Sequence, residues 1–316
     1  MITWSAPIYV YLWLAGMAGG AYFAAFLANR FTGGGNRRLL RLATYLGIPL
    51  AVIGVILLVA ELGHPIRFWH LLTVFSVESP MSMGTWILLI WVFAAVIMAI
   101  LWWAEQFLSE DAAHSLKQLT GFLSWIDALF AALLMTYTGV LLAVSTQPLW
   151  SGTALLPALF VASAVSTGVA ILIITALIAT AITKSGFTEL KMAINQLTGS
   201  TDWIVHNRTV ERLAEADAIV IIIELAVLIG YAVWISTSSM AGAGEALTLL
   251  TTGALAVPFW IGVVLLALLI PLGLDLFNWG KQLEIKVVSR AIVLSSVCVI
   301  MGGLVLRAVI TIGGQI

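Results

Sequence analysis

Charge is what this sequence has least of. Of its 316 residues only 9% are Asp, Glu, Lys or Arg, where a soluble domain carries about a quarter. Such a sequence cannot clothe a water-facing surface, and a soluble globular domain is excluded. The basic and acidic residues nearly cancel, to a formal net charge of -1. Without a cluster of cations to neutralise phosphates, no nucleic-acid partner is expected. Cys298 stands alone, so there is no internal disulfide and no thiolate set for an iron–sulfur cluster. Histidine is scarce and marginal. His64, His70, His114 and His206 all lie away from the middle of any apolar run, whereas a membrane haem b needs histidines on spanning helices, so no haem is expected. No Lys or Arg precedes the first apolar run; it lacks the positive flank of a cleaved signal peptide and reads as the first span.

What is there is hydrocarbon. Hydrophobic residues make up 62% of the chain and the mean hydropathy is +1.10. About 20 apolar residues cross a bilayer core as a helix, and eight runs are long enough: 7–29, 44–63, 83–104, 119–146, 154–183, 213–236, 254–274 and 289–312. Their continuous apolarity excludes barrel strands, which alternate over about ten residues. The fold class is therefore an all-α membrane protein with eight transmembrane helices. Twelve of the 14 basic residues, among them Arg37, Arg41, Lys191, Arg212 and Lys286, fall between spans one and two, three and four, five and six, or seven and eight, Arg290 at the very start of span eight included. The positive-inside rule makes that side cytoplasmic. Both termini are then expected outside, periplasmic for a protein of a Gram-negative inner membrane.

Four spans followed by four more suggest two four-helix bundles, 1–150 and 151–316. A faint echo links them: Gly16-xxx-Gly20 in span one and Ala164-xxx-Gly168 in span five. It reads equally as duplication or as ordinary close packing of small residues. The connection at 184–212 is polar enough for an amphipathic helix.

Ionisable residues inside spans are costly and usually face the bundle interior. Asp127, Asp217, Glu224 and Arg307 qualify. Asp217 and Glu224 are seven residues apart, nearly two turns, and share a helix face. These four residues are candidates for proton transfer; static pairing, as of Glu224 with Arg307, is the other reading. Glu105, Glu215 and Asp275 stand near cytoplasmic ends and are expected to be solvated.

The segment Glu61-Leu62-Gly63-His64-Pro65-Ile66-Arg67-Phe68-Trp69 resembles the acidic-Leu-Gly-x-Pro-x-Arg-Phe-Trp signature of the polysulfide reductase membrane-subunit family, the NrfD/PsrC-like proteins. Ser79-Pro80-Met81-Ser82-Met83-Gly84 is similar to a second family segment, and Tyr137-Thr138-Gly139, Leu156-Pro157-Ala158 with Gly168, and Gly302-Gly303 through Arg307 to others. The matches run end to end in order. The resemblance implies a membrane anchor that binds a quinone, menaquinone or ubiquinone, near the outer face. It also implies partners: a ferredoxin-like iron–sulfur subunit and a catalytic subunit, usually a molybdopterin enzyme.

Beside that resemblance, Tyr137 lies too deep for an interfacial aromatic belt and suits a hydrogen bond to a quinone carbonyl. Tyr11 lies at similar depth, where relatives can have a histidine. Glu61, His64 and Arg67 cluster where span two leaves the membrane, suited to binding a carbonyl and delivering protons, or to docking the cluster protein. Trp69 and Trp86 are candidate walls for the ring. Two other functions remain open from the residues: a structural anchor without quinone chemistry, and a secondary transporter with span seven broken at Pro258 and Pro271.

Overall fold

In the computed structural model the described residues are 5–61, 69, 73, 75–76, 79–144, 147, 149–150, 153–184, 187–199, 207–238, 242–279 and 285–315, and helix dominates them without a strand. Eight helices are long and apolar enough to cross a membrane, one for each predicted run. They are α1 (Ala6–Phe31), α2 (Arg37–Ala60), α3 (Pro80–Ala104), α4 (Glu110–Ala143), α5 (Leu155–Lys184), α7 (Asn207–Thr237), a π-helix (Pro258–Leu269) continuing as α9 (Ile270–Asn278), and α10 (Ile285–Gly313). Two shorter helices, α6 (Thr188–Thr198) and α8 (Ala243–Thr251), lie between spans. The helices α4 and α7 begin well before the apolar runs that marked them. Hydropathy senses only the hydrocarbon slab, whereas backbone hydrogen bonding carries a helix on into the interface.

Helix α1 is the hub. It packs on α2, α4, α5 and α10, and 72% of its central window is buried, against 28% for α2 and α3. Its inner surface is built of Ala15, Gly16, Ala18, Gly19, Gly20 and Ala21, all fully covered. Small residues let backbones approach where lipid offers no hydrophobic driving force between helices. The two halves of the sequence echo meet each other here. Gly20 lies against the backbone of Ala164, and Gly168 against the backbone of Gly20 and Ala21; a Cβ on either glycine would overlap main-chain atoms. A second crossing of this kind sets Gly302 of α10 on the backbone of Ala267 in the π-helix.

Span seven is not broken at its prolines. Pro258 occupies the first turn of the π-helix, where a missing N–H is harmless, and the segment runs without interruption past Pro271. The lipid-facing shell is made of large apolar side chains such as Ile56, Phe93, Phe122, Ile229 and Val233, all exposed.

At the end that carries the basic loops, Glu105 is not solvated as its position suggested. Arg37 donates two bonds to its carboxylate, each at 3.0 Å, and Arg41 donates a third. The short turn after α3 holds the carboxylate between the two guanidinium groups, which leave it little exposed. Arg41 also reaches the Thr198 carbonyl at 3.5 Å, beneath Gly199, whose φ of 65° closes α6. Helix α6 is the amphipathic segment expected there, with Phe187, Leu190, Met192 and Leu197 exposed.

Replacing Gly168 by Leu drives a side chain into the α1 backbone, which cannot yield. Overpacking of buried sites costs about 1–3 kcal/mol, and G168L is expected at or beyond the top of that range. Thermal unfolding of detergent-purified protein should show a clearly lowered midpoint; an unchanged midpoint would contradict the crossing.

Candidate functional site

Among the described residues, polar side chains gather at several places inside the bundle, and two groups stand out. The first is at the end opposite the basic loops. Tyr11 is five residues into α1 and Tyr137 six residues before the end of α4, so each lies about 8–9 Å from its helix end. Both are buried, and the two phenol side chains lie close enough to interact with each other. Glycines fix the rings. Gly54 of α2 packs against the Tyr11 ring, where a Cβ would meet Cδ2 at 3.2 Å, and Gly84 of α3 lies flat against the ring of Tyr137 with no room for a Cβ. All four helices of the first half therefore converge on the two phenols.

The start of α3 explains how Gly84 is positioned. Ser79 is the N-cap, its hydroxyl accepting from the Ser82 amide at 3.4 Å, and Pro80 opens the first turn. The buried Ser82 hydroxyl in turn accepts from the Ser76 amide at 3.1 Å. The serines thus tie the preceding segment to the helix terminus, and Gly84 follows one turn in. Trp86 is half-buried and stands edge-on to Phe75 with ring centroids 6.1 Å apart. Trp69 is exposed. Glu61 caps α2 and is exposed; His64 and Arg67 lie outside the described residues. The structure thus brings Tyr11 and Tyr137 together.

The second group runs through the other half. Arg307 of α10 is fully buried. Its Nη1 donates to Ser163 Oγ of α5 and to the Gly303 carbonyl, both at 3.0 Å, and the guanidinium carbon lies 5.4 Å from the centre of the Phe160 ring. Gly16 and Gly303 leave the space it fills; a Cβ at Gly16 would stand 2.9 Å from Nη2. Glu224 of α7 is buried, close enough to interact with both the Ser163 hydroxyl and the guanidinium. Among the described residues the ion pairs closer than 4.0 Å are those of Glu105, so Glu224 and Arg307 do not form the direct pair weighed from sequence. Two turns along α7, Asp217 faces Ser166, and beyond it Asp275 of α9 accepts from Ser295 Oγ at 3.0 Å. Asp275 is buried and not solvated as expected, because α10 covers it. Nε and Nη2 of Arg307 and one carboxylate oxygen each of Asp217 and Asp275 have no protein hydrogen-bond partner.

Asp127, grouped with these residues from sequence, belongs to a different place. It is fully buried in α4 near Tyr22 of α1, whose hydroxyl donates to the Ser124 carbonyl at 3.5 Å; among the described residues neither Asp127 carboxylate oxygen has a hydrogen-bond partner. Sequence reasoning missed Tyr22, Ser163, Ser166 and Ser295, whose types are ordinary in membrane helices. A signal existed only for Ser163 and Ser166, three residues apart on the small-residue face of α5.

The chain matches the family described as "Polysulphide reductase, NrfD" over residues 1–316. It is 29% identical over 192 residues to "Protein NrfD" of Escherichia coli (strain K12), covering 55% of this chain and 59% of that protein. Over 329 residues it is 29% identical to the C chain of the polysulfide reductase of Wolinella succinogenes, covering 99% of this chain and 95% of that one. A third relative, "Protein NrfD homolog" of Haemophilus influenzae, is 26% identical over 339 residues, covering all of this chain and 95% of that protein.

Gly84→Ala places a methyl group on the Tyr137 ring and forces the phenol away from Tyr11. The expected result is a loss of stability of about 1–3 kcal/mol, typical of overpacking, recovered in the double variant G84A/Y137A, which vacates the ring. Equal midpoints for G84A and the parent protein would contradict the contact.

Proposed function

The chain belongs to the polysulphide reductase, NrfD, family and is a multi-pass integral membrane protein, and from that premise we propose that it is the membrane anchor and quinone-binding subunit of a respiratory oxidoreductase. The observation that carries this reading is the meeting of Tyr11 and Tyr137 at one end of the bundle. Two buried phenols in an apolar setting are a donor set matched to the carbonyl of a lipid-soluble carrier, since each hydroxyl both donates and accepts. When bound, the quinone supplies two-electron chemistry and takes up or releases two protons. The phenols hold and orient its ring, and helices α1 to α4 keep bulk water from it. Trp86, Glu61, His64 and Arg67 belong to the same end in this reading, the last three at its rim.

The basic loops lie at the opposite end, so the positive-inside rule supports an outer location for the phenols. An iron–sulfur subunit of ferredoxin type docked on that face, with its catalytic partner, is within electron-transfer reach of a carrier held there. The relative named as the C chain of a polysulfide reductase supports a subunit role in such a complex. The two halves, 1–150 and 151–316, then divide the labour: the first binds the carrier, the second handles protons. Asp275, Asp217 and Glu224 offer carboxylates in sequence toward Arg307, whose fixed positive charge sits beside the innermost acid.

Tyr137→Phe removes one hydrogen bond and nothing else. At about 1.4 kcal/mol for a factor of ten, and about 1–1.5 kcal/mol for the bond, quinone affinity of the assembled complex should fall about five- to tenfold. Titration of quinone-dependent turnover, with an artificial acceptor as control for the partner subunits, reads this directly. Unchanged affinity in Y137F and in Y11F would refute the site.

Glu224→Gln keeps shape and removes the proton-carrying group. Quinone-linked turnover in E224Q should drop about a hundredfold or more, the scale of a lost proton-transfer group, while quinone affinity stays. Full turnover in E224Q, D217N and D275N would remove the acids from the function.

A further inference from the structure

A cavity of about 260 Å³ lies between α7, α8 and the π-helix, at the end of the bundle away from the basic loops. Its walls include Leu228, Tyr231, Leu250, Phe259, Trp260 and Ile310. None of its residues comes from α1 or α4, so it is separate from the two phenols. Three lining side chains carry a polar atom, and each is already engaged by a backbone carbonyl. The Tyr231 hydroxyl donates to Leu149 O, Trp260 Nε1 to Thr251 O at 3.0 Å, and Thr251 Oγ1 to Leu247 O at 2.9 Å. What remains facing the cavity is hydrocarbon.

The volume is just below the roughly 300–1,000 Å³ of whole small-molecule sites. It suits a length of acyl chain. The opening is at membrane depth: Ile229 and Trp260, both of the lining, are half exposed and lie within spans six and seven. The π-helical winding of Pro258–Leu269 contributes one wall, and π segments are rare and tend to gather at functional places.

We infer that this cavity is a binding site for one acyl chain of a membrane phospholipid. The bilayer presents hydrocarbon chains at this depth in large excess. A wall with no free donor or acceptor disfavours water and any polar head, so the occupant is a plain hydrocarbon tail whose headgroup stays at the interface. The tail of an isoprenoid quinone is the weaker fit, because its polar ring would stand beside these walls with no hydrogen-bond partner.

The test uses the full-length protein in nanodiscs that carry a trace of phospholipid with a mid-chain diazirine, irradiated, digested and mapped by mass spectrometry. Peptides of the lining should be labelled about tenfold above the peptide of Phe93, a lipid-facing residue of α3 outside the cavity, a ratio that corresponds to one decade of affinity. Ala232→Phe and, independently, Val264→Phe fill the space and should bring that labelling down to the Phe93 level. Two variants guard against one that fails to fold. Labelling no higher than at Phe93, or unaltered by both fillings, would overturn the site. Loss of labelling on adding a long-tailed quinone, but not its tailless analogue, would also overturn the assignment by giving the cavity to an isoprenoid tail.

Discussion

The crossing of α1 and α5, backbone on backbone, is the constraint on which everything else in the molecule depends. In lipid no hydrophobic effect drives helices together, so contact must come from dispersion and close fit. Gly20, Ala164 and Gly168 supply that fit by having almost no side chain. With the two helices so close, α1 becomes the common wall of both halves. One of its ends presents Tyr11 to α4, its middle gives Arg307 room beside Gly16, and Tyr22 meets Asp127 nearer the other end. Tyr137, Asp127 and Arg307, from both halves, therefore all lie against the same helix.

Placing Arg307 in that interior is expensive, and the surroundings show how the cost is met. A buried guanidinium without partners is strongly destabilising. Here a serine hydroxyl, a main-chain carbonyl, an aromatic face and a nearby carboxylate surround it. Glu224 supplies counter-charge without an ion pair inside 4.0 Å. A carboxylate left free of a bidentate pair keeps its oxygens available for proton exchange, which a locked ion pair does not. That difference is what makes the second half suited to protons in the functional reading.

Much of this was legible in the residues. Eight apolar runs gave eight spanning helices, because a bilayer imposes a length and a polarity that composition reports directly. The glycine and alanine repeat was also legible, though not its partner: a pattern shared by two helices reads equally as duplication or as packing, and only the fold shows the two helices lying against each other. Tyr11 and Tyr137 were singled out by depth, yet only packing brings the two phenols together. Position along a span misjudged Glu105 and Asp275. Both are near helix ends, where water is expected, but the burial of Asp275 depends on α10 and the fixing of Glu105 on two arginines of α2. One-dimensional hydropathy sees depth and not neighbours. The serines beside the charges gave least warning, since a hydroxyl on a membrane helix usually satisfies its own backbone, as Thr167 and Thr180 do here.

The most direct test of the central claim is to find where a quinone sits. Photolabelling of the membrane complex with an azido-quinone, followed by peptide mapping, should place the adduct on α1 around Tyr11 and on α4 around Tyr137, and an excess of unlabelled quinone should suppress it. Saturable labelling confined to the second half, or none on this subunit while the complex turns over quinone, would contradict the account.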